Sequence, residues 1–183
     1  MSVFVAEELS EVLNTKVVIG RINMGLLNRI IIDDVLLDDQ SGQEMLKVTR
    51  LSAKFDIMPF FKGKISISSV QLFGFNINLR KETPDSPPNF KFVLDAFASK
   101  DTVKKENSLD LRINSILIRR GRMSYHVLSE EETPGKFNAK HIQLQNIIAN
   151  ISLKALSKDS LNLGIKRLSL DEKASGFSLK KMS

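Results

Sequence analysis

The sequence predicts a mostly β protein with two short α-helices and a curved, bulged antiparallel sheet. Apolar residues recur at relative positions 0, 2, 5 and 7 in seven stretches of the chain. The alternation on each side of the gap indicates strands with one apolar face. Only two short stretches, near residues 2–13 and 90–97, space their apolar residues as helices do.

The clearest copy of this spacing is residues 65–72, whose gap holds Ser68 and Ser69. An extra residue in mid-strand is absorbed by a β-bulge, which returns the same side-chain face inward. The other six gaps hold Gly20-Arg21, Asp33-Asp34, Thr49-Arg50, Asn114-Ser115, Gln145-Asn146 and Lys166-Arg167. Because no gap contains a large apolar residue, the sequence predicts a bulge at each, and repeated bulges predict strong curvature.

The first half of the chain is predicted to begin with a helix over residues 2–13. Strands are predicted at 17–24, 30–37, 46–57 and 65–79, the first two forming a hairpin. The polar residues 82–88 then lead to a second helix, in which Phe90, Val93 and Phe97 lie on one side.

The second half is predicted to open with a mobile loop at 99–108. A hairpin of residues 109–118 and 123–127 is expected to turn at Arg120-Gly121. Further strands are predicted at 140–153 and 161–170, and another at Phe177 and Leu179.

The 183 residues are enough for a single domain with a sizeable core. We expect one β-groove domain over residues 1–183, in an excised fragment of a longer protein. Its predicted parts are an amphipathic helix at 1–14, a first sheet half at 15–80, a polar loop with a short helix at 81–108, and a second sheet half at 109–183.

Composition narrows the function classes. The chain has no cysteine, which excludes disulfides, thiol catalysis and cysteine metal sites. The net charge of +6 is compatible with anionic lipid or nucleic acid and decides between neither. No apolar run approaches the length of about 18 residues that indicates a membrane span.

The apolar strand faces need a cover. Burying an Ile or Leu side chain contributes about 1.5–3 kcal/mol, so a face with many such residues does not stay in water. A closed β-sandwich, in which two faces cover each other, is one solution. The other is an open, curved sheet whose apolar face accepts an external apolar ligand.

Each polar cluster of the sequence has a simpler interpretation than a chemical site. His126 and His141 are the only histidines, and neither lies in a catalytic motif or at a metal-ligand spacing. The acidic cluster of residues 33–39 lacks the spacing of a calcium loop. The basic cluster of residues 119–122 lacks the exposed aromatic residues of a nucleic-acid site. The expectation is therefore no metal, no cofactor, no catalytic residue and no nucleic-acid partner.

Several stretches resemble a known family. Residues 17–22 (VVIGRI), 30–42 (IIIDDVLLDDQSG), 46–51 and 65–80 resemble the start of the AsmA-like/TamB family. Residues 116–133 (ILIRRGRMSYHVLSEEET), followed by 134–137 (PGKF), are similar to TamB-type proteins of Gram-negative envelopes. The resemblance covers nearly the whole chain, and it depends on the order of these short motifs.

This resemblance implies a taco-like β-groove, a periplasmic location and an N-terminal anchor in the inner membrane. It also implies phospholipid transport between the inner and outer membranes and outer-membrane assembly with a barrel partner. The anchor and the C-terminal region that meets the barrel partner are not recognised in this sequence. We therefore expect groove character without partner binding, and an isolated fragment able to dimerise.

The expected function is thus that of a segment of a bridge-like lipid-transfer protein, which is not an enzyme. The alternative is a structural or protein-binding β-sandwich module of envelope assembly. The candidate residues that line the groove for acyl chains all lie on the predicted apolar faces of strands. They are Ile32, Val35, Leu37, Phe55, Ile67, Val70, Leu72, Phe75, Ile77, Ile113, Ile116, Ile118, Ile147 and Leu168.

Overall fold

The computed structural model describes residues 2–26, 28–55, 65–98, 109–110, 114–157 and 160–182. Two helices are present there, α1 (Ser2–Leu13) and α2 (Lys91–Ala98). The strands are β1 (Val17–Gly25), β2 (Arg29–Asp38), β3 (Glu44–Phe55), β4 (Ile65–Lys81), β5 (Leu109–Asp110), β6 (Ser115–Val127), β7 (His141–Ser157), β8 (Ser160–Glu172) and β9 (Ser178–Met182). The predicted third-strand residue Ile57 and the loop at 99–108 lie outside the described residues.

The strands form one open sheet in the order β1-β2-β3-β4-β6-β7-β8-β9. The two-residue strand β5 pairs with the start of β4. Within the described part of the chain, β1 and β9 each have a neighbour on one side only, so the sheet does not close. The prediction of a mostly β chain with two short helices and a curved open sheet is confirmed. The described strands form a single sheet, not the two stacked sheets of the alternative sandwich.

The sheet is mixed, which corrects the prediction of a purely antiparallel one. Strands β4 and β6 run parallel over eleven paired positions, from Ser69 with Ser115 to Lys81 with Val127. A parallel pair needs a crossover connection, because the chain must return to the same end of the sheet. The segment between β4 and β6, which contains α2 and β5, makes this return.

The predicted hairpin at Arg120-Gly121 is wrong, because β6 runs through both residues without reversing. Arg120 has a positive φ of 55°. One left-handed residue kinks a strand, whereas the tight hairpin turns place φ > 0 within a two-residue reversal. Pairing with β4 continues on both sides of the kink, which keeps β6 a single strand.

Three of the predicted bulges are confirmed. In β4, Ser68 is the extra residue between the pairs Ser69–Lys54 and Ile67–Phe55. In β7, Gln145 and Asn146 together face one residue of β6. In β8, Lys166 has no partner on β7, because the residues on either side of it pair with the consecutive residues Asn150 and Ile151. The gap at Asn114-Ser115 borders residues outside the described part and stays a prediction.

The other three gaps are not bulges. Pairing of β2 with β1 and β3 keeps one register on both sides of Asp34. The reason is that the extra residues of β1, β2 and β3 lie opposite one another, in a row formed by Gly20, Asp34 and Thr49. Neither strand of a pair therefore has a residue left without a partner position. This row, the kink row, continues into β4, β6 and β7, where Gly74, Arg120 and Asn146 share the positive φ of Asp34.

Both helices lie at one end of the sheet. Helix α1 ends at Leu13, followed by left-handed Asn14 (φ 48°), and it packs against β1 and α2. Ser10 accepts a hydrogen bond from the Val17 amide (3.0 Å), which fixes the helix to the start of β1. Phe4 and Val12 stay 68% and 52% exposed, so much of the apolar side of α1 is uncovered. Neither described helix has the length and apolar character needed to traverse a bilayer.

Candidate functional site

The candidate site is the apolar face of the sheet, which four rows of side chains cross at right angles to the strands. Directly paired residues of neighbouring strands share one face. The first row comprises Met24, Ile30, Ala53, Val70, Ile116, Ile151 and Ile165, and the second comprises Ile22, Ile32, Leu51, Leu72, Ile118, Ala149 and Leu168. The apolar residues of seven neighbouring strands therefore lie side by side in each of these two rows.

The third and fourth rows lie beyond the kink row, nearer the helices. The third comprises Ile19, Val35, Val48, Phe75 and Ile147, and the fourth comprises Val17, Leu37, Leu46, Ile77, Met123 and Leu144. Residues of the second and fourth rows pack against Val48, Phe75 and Ile147 of the third. The kink row thus returns the same face after each gap, as the spacing predicted.

Eleven of the fourteen candidate lining residues fall on this face: Ile32, Val35, Leu37, Val70, Leu72, Phe75, Ile77, Ile116, Ile118, Ile147 and Leu168. Phe55 and Ile67 are paired with each other on β3 and β4, and their side chains lie outside the description. Ile113 is outside the described residues. Whether the eleven residues bind lipid stays a prediction.

Sequence reasoning missed several residues of the same face. Ile22, Leu51 and Leu144 occupy the same spacing as the chosen residues, so the pattern itself contained the signal. Met123 was assigned to a separate strand after the predicted turn, which hid its place in the fourth row.

Most of the apolar face is only half-buried. Val48, Phe75 and Ile147 are 2%, 6% and 7% exposed, while the rows on either side, including Leu72 and Ile118, keep part of their surface in water. A closed core would cover these neighbours too. Among the described residues, the sheet therefore leaves a broad apolar surface without a complete cover.

Phe75 forms the centre of this face by lying over a glycine. A Cβ atom at Gly121 would stand 2.3 Å from Phe75 Cε1 and 3.0 Å from Ile147 Cβ. The missing side chain at Gly121 thus lets the phenyl ring reach across β6 to Ile147 on β7.

The opposite face is more polar. A row with three arginines and one aspartate crosses it just beside the kink row, in the order Arg21, Asp33, Arg50, Phe73 and Arg119. These residues line a cleft of about 660 Å³. The contrast between the two faces makes the sheet amphipathic as a whole.

Within this cleft, Asp33 is 5% exposed and pairs with Arg50 at 2.6 Å. The hydrogen bond from the Arg50 guanidinium holds the pKa of Asp33 below its ordinary value, against the opposing effect of burial. Asp33 is therefore charged at neutral pH and neutralises one arginine of the row.

A buried carboxylate, Asp39, lies at the end of the sheet where the helices pack. Asp39, 2% exposed, follows β2 and pairs with Arg80 of β4 at 2.6 Å. It also accepts hydrogen bonds from the Ser41 and Gln43 amides and from Asn89, which precedes α2. Asp39 thus ties the β2–β3 turn, β4 and the segment before α2 together.

The pKa of Asp39 reflects two opposing effects. Burial raises the pKa, but the hydrogen bonds from Ser41, Asn89 and Gln43 together outweigh it, so the pKa lies below its ordinary value of 3.8. Glu172 behaves alike at the β8–β9 turn, where burial is outweighed by bonds from Ser175, Ala174 and Gln143. Both groups are structural, since their oxygens accept from donors of their own turns and of neighbouring segments.

Comparison with protein-family models, with curated proteins and with solved structures finds no match to this chain.

Proposed function

We propose that this chain is a segment of a bridge-like lipid-transfer protein of the AsmA-like/TamB type. In this proposal, phospholipid acyl chains lie against the apolar face while their headgroups stay in water. The protein acts in the periplasm between the inner and outer membranes and supports outer-membrane assembly with a barrel partner. No bond is broken, so no catalytic residue is required.

The observation that carries the proposal is the continuity of the apolar rows, two of which cross seven strands. A protein that only needed a core would bury these side chains against another layer. Here the face is half-buried and the described helices pack at one end of the sheet. A chain of methylene groups is a suitable cover, since it has no polar atoms to satisfy.

A face-specific pair of substitutions tests the proposal. Leu72 lies on the apolar face, and its neighbour Phe73 lies on the polar face of the same strand and is 38% exposed. We expect Leu72→Glu to lower labelling of the purified protein by a diazirine-bearing phosphatidylethanolamine, presented in phosphatidylethanolamine–phosphatidylglycerol vesicles, by at least about tenfold. Phe73→Glu is the matched control, and it should be labelled like the wild type.

A second arm avoids loss of folding as an explanation. A photoreactive benzophenone side chain replaces Leu72 or Phe73, and the crosslinked species are identified by mass spectrometry. Crosslinks to phospholipid from position 72 and not from 73 support the proposal. Absence of lipid at both positions, equal crosslinking at both, or crosslinking of position 72 only to a second copy of the chain would reject it.

A further inference from the structure

A cluster of three metal-binding side chains lies at the end of β6 and β7, away from the apolar rows. The register pairs His126 directly with His141. The connection between the two strands brings Glu132 beside them. One ligand atom from each residue lies within 4.8 Å of the others.

The distance between the two histidines suits a shared ion. Their Nδ1 atoms are 3.1 Å apart. Two nitrogens bound to one Zn²⁺ at about 2.0–2.1 Å and at a tetrahedral angle lie about 3.3–3.4 Å apart. The observed distance is therefore close to that of two ligands of one ion.

The carboxylate completes a set of three ligands. Glu132 Oε1 is 3.8 Å from His126 Nδ1, and the Glu132 side chain is 65% exposed. A small rotation of such an exposed side chain brings its oxygen to binding distance. His141 and Glu132 also line a cleft of about 220 Å³, which gives an ion access from solvent.

The surroundings of His141 select the ring nitrogen that binds. His141 is 8% exposed, and its Nε2 lies 2.9 Å from the carbonyl oxygen of Glu130. A carbonyl oxygen only accepts, so Nε2 donates its proton and the Nδ1 lone pair points away from it. Without an ion this lone pair accepts a hydrogen bond from His126 Nδ1, and binding of an ion requires His126 to carry its proton on Nε2 instead. A hydrogen bond from the outer ring nitrogen to a backbone carbonyl is the usual support of a metal-bound histidine. Lys140 in turn pairs with the Glu130 side chain at 2.6 Å.

We propose that His126 Nδ1, His141 Nδ1 and the Glu132 carboxylate bind one divalent ion of the zinc class. Two imidazoles and one carboxylate suit Zn²⁺, whereas Ca²⁺ and Mg²⁺ prefer oxygen ligands alone. The ion fastens the segment between β6 and β7 to the ends of both strands. This site is separate from the lipid proposal and stands or falls without it.

Calorimetric titration of the chelator-treated chain with Zn²⁺ tests the site. We expect one Zn²⁺ per chain for the wild type, affinity at least about 100-fold weaker for His141→Ala, and about 10-fold weaker for Glu132→Gln. Glu131→Gln is the matched control, because it removes the same charge one residue away and leaves the three ligands in place. One fixed, saturating concentration of Zn²⁺ should raise the Tm of the wild type and of Glu131→Gln by the same amount, and should raise that of Glu132→Gln by less because of its weaker binding.

The outcomes separate cleanly because His126 and His141 are the only histidines and cysteine is absent. Absence of Zn²⁺ binding by the wild type overturns the site. Equal binding by the wild type and Glu132→Gln also overturns it, as the ion would then be held without the Glu132 carboxylate. Glu132→Gln keeps the test valid if His141→Ala fails to fold, since the exposed Glu132 side chain contributes little to packing.

Discussion

Gly121→Ala is expected to lower the free energy of unfolding by about 3 kcal/mol, the upper range for inserting a methyl group into a packed site. The new Cβ would stand 2.3 Å and 2.5 Å from Phe75 Cε1 and Cζ, well inside van der Waals contact. The backbone of β6 is held by pairing on both sides, so the ring must move. Because Phe75 is the centre of the apolar face, its displacement disturbs three rows together. Urea unfolding followed by circular dichroism measures the loss.

The control for this prediction is a double-mutant cycle with Phe75→Leu. A leucine at position 75 does not reach over β6, so Gly121→Ala should cost at least about 1 kcal/mol less in that background. Equal costs in the two backgrounds would mean that the ring and the glycine do not interact. A cost below about 0.5 kcal/mol for the single variant would contradict the close contact itself.

Asp39→Asn is expected to have an effect of similar size, about 3 kcal/mol, on the free energy of unfolding. The carboxylate accepts from Ser41, Gln43 and Asn89 and pairs with Arg80. An amide in its place has one accepting atom instead of two, and its NH₂ group faces existing donors. Asp85→Asn is the matched control, since the Asp85 side chain is exposed and makes no hydrogen bond or ion pair with the described residues, and its cost should stay within about 0.5 kcal/mol.

The same comparison has a predictable pH dependence. The pKa of Asp39 in the folded protein lies below the ordinary value of 3.8, so its stabilising effect is complete above that pH. It is lost as the pH falls through the lower, folded-state pKa. The difference in unfolding free energy between the wild type and Asp39→Asn should therefore be largest near about pH 7 and should narrow below about pH 3. A difference that stays constant or grows in acid would contradict the charged state assigned to Asp39.

The alternating spacing was enough to predict most of the strands and the face to which they contribute. Both depend on local information, since the period of two along a strand fixes which residues share a side. The bulge at Ser68 was predictable for the same reason, because an added residue breaks the alternation at a known place. Whether a gap becomes a bulge depends on the neighbouring strand, which is why the gap at Asp33-Asp34 was predicted wrongly.

The parallel pairing of β4 and β6 was not predictable from the spacing, because the pattern looks the same in either strand direction. The reversal expected at Arg120-Gly121 failed for a related reason. Arginine and glycine beside a gap suit both a turn and a kinked strand, and the pairing with β4 decides between them.

The histidine cluster lay beyond sequence reasoning because its members are far apart in the chain. His126 and His141 meet only through the register of β6 with β7, and the connection between these strands is too long to fix that register from its sequence. Glu132 depends on the path of the same connection. No spacing rule for metal ligands contains this arrangement.

In β1, β2, β3, β4, β6 and β7, the apolar residues change between even and odd numbers at the kink row. In β2 the apolar residues are even-numbered at Ile30 and Ile32 and odd-numbered at Val35 and Leu37, and β4 changes in the same way between Leu72 and Phe75. Loss of one residue at the gap would restore simple alternation, yet it would turn half of that strand inside out. The apolar rows stay continuous across these six strands because the change of parity falls in one row, whereas β8 changes at Lys166, between the first and second rows, and forms a bulge there.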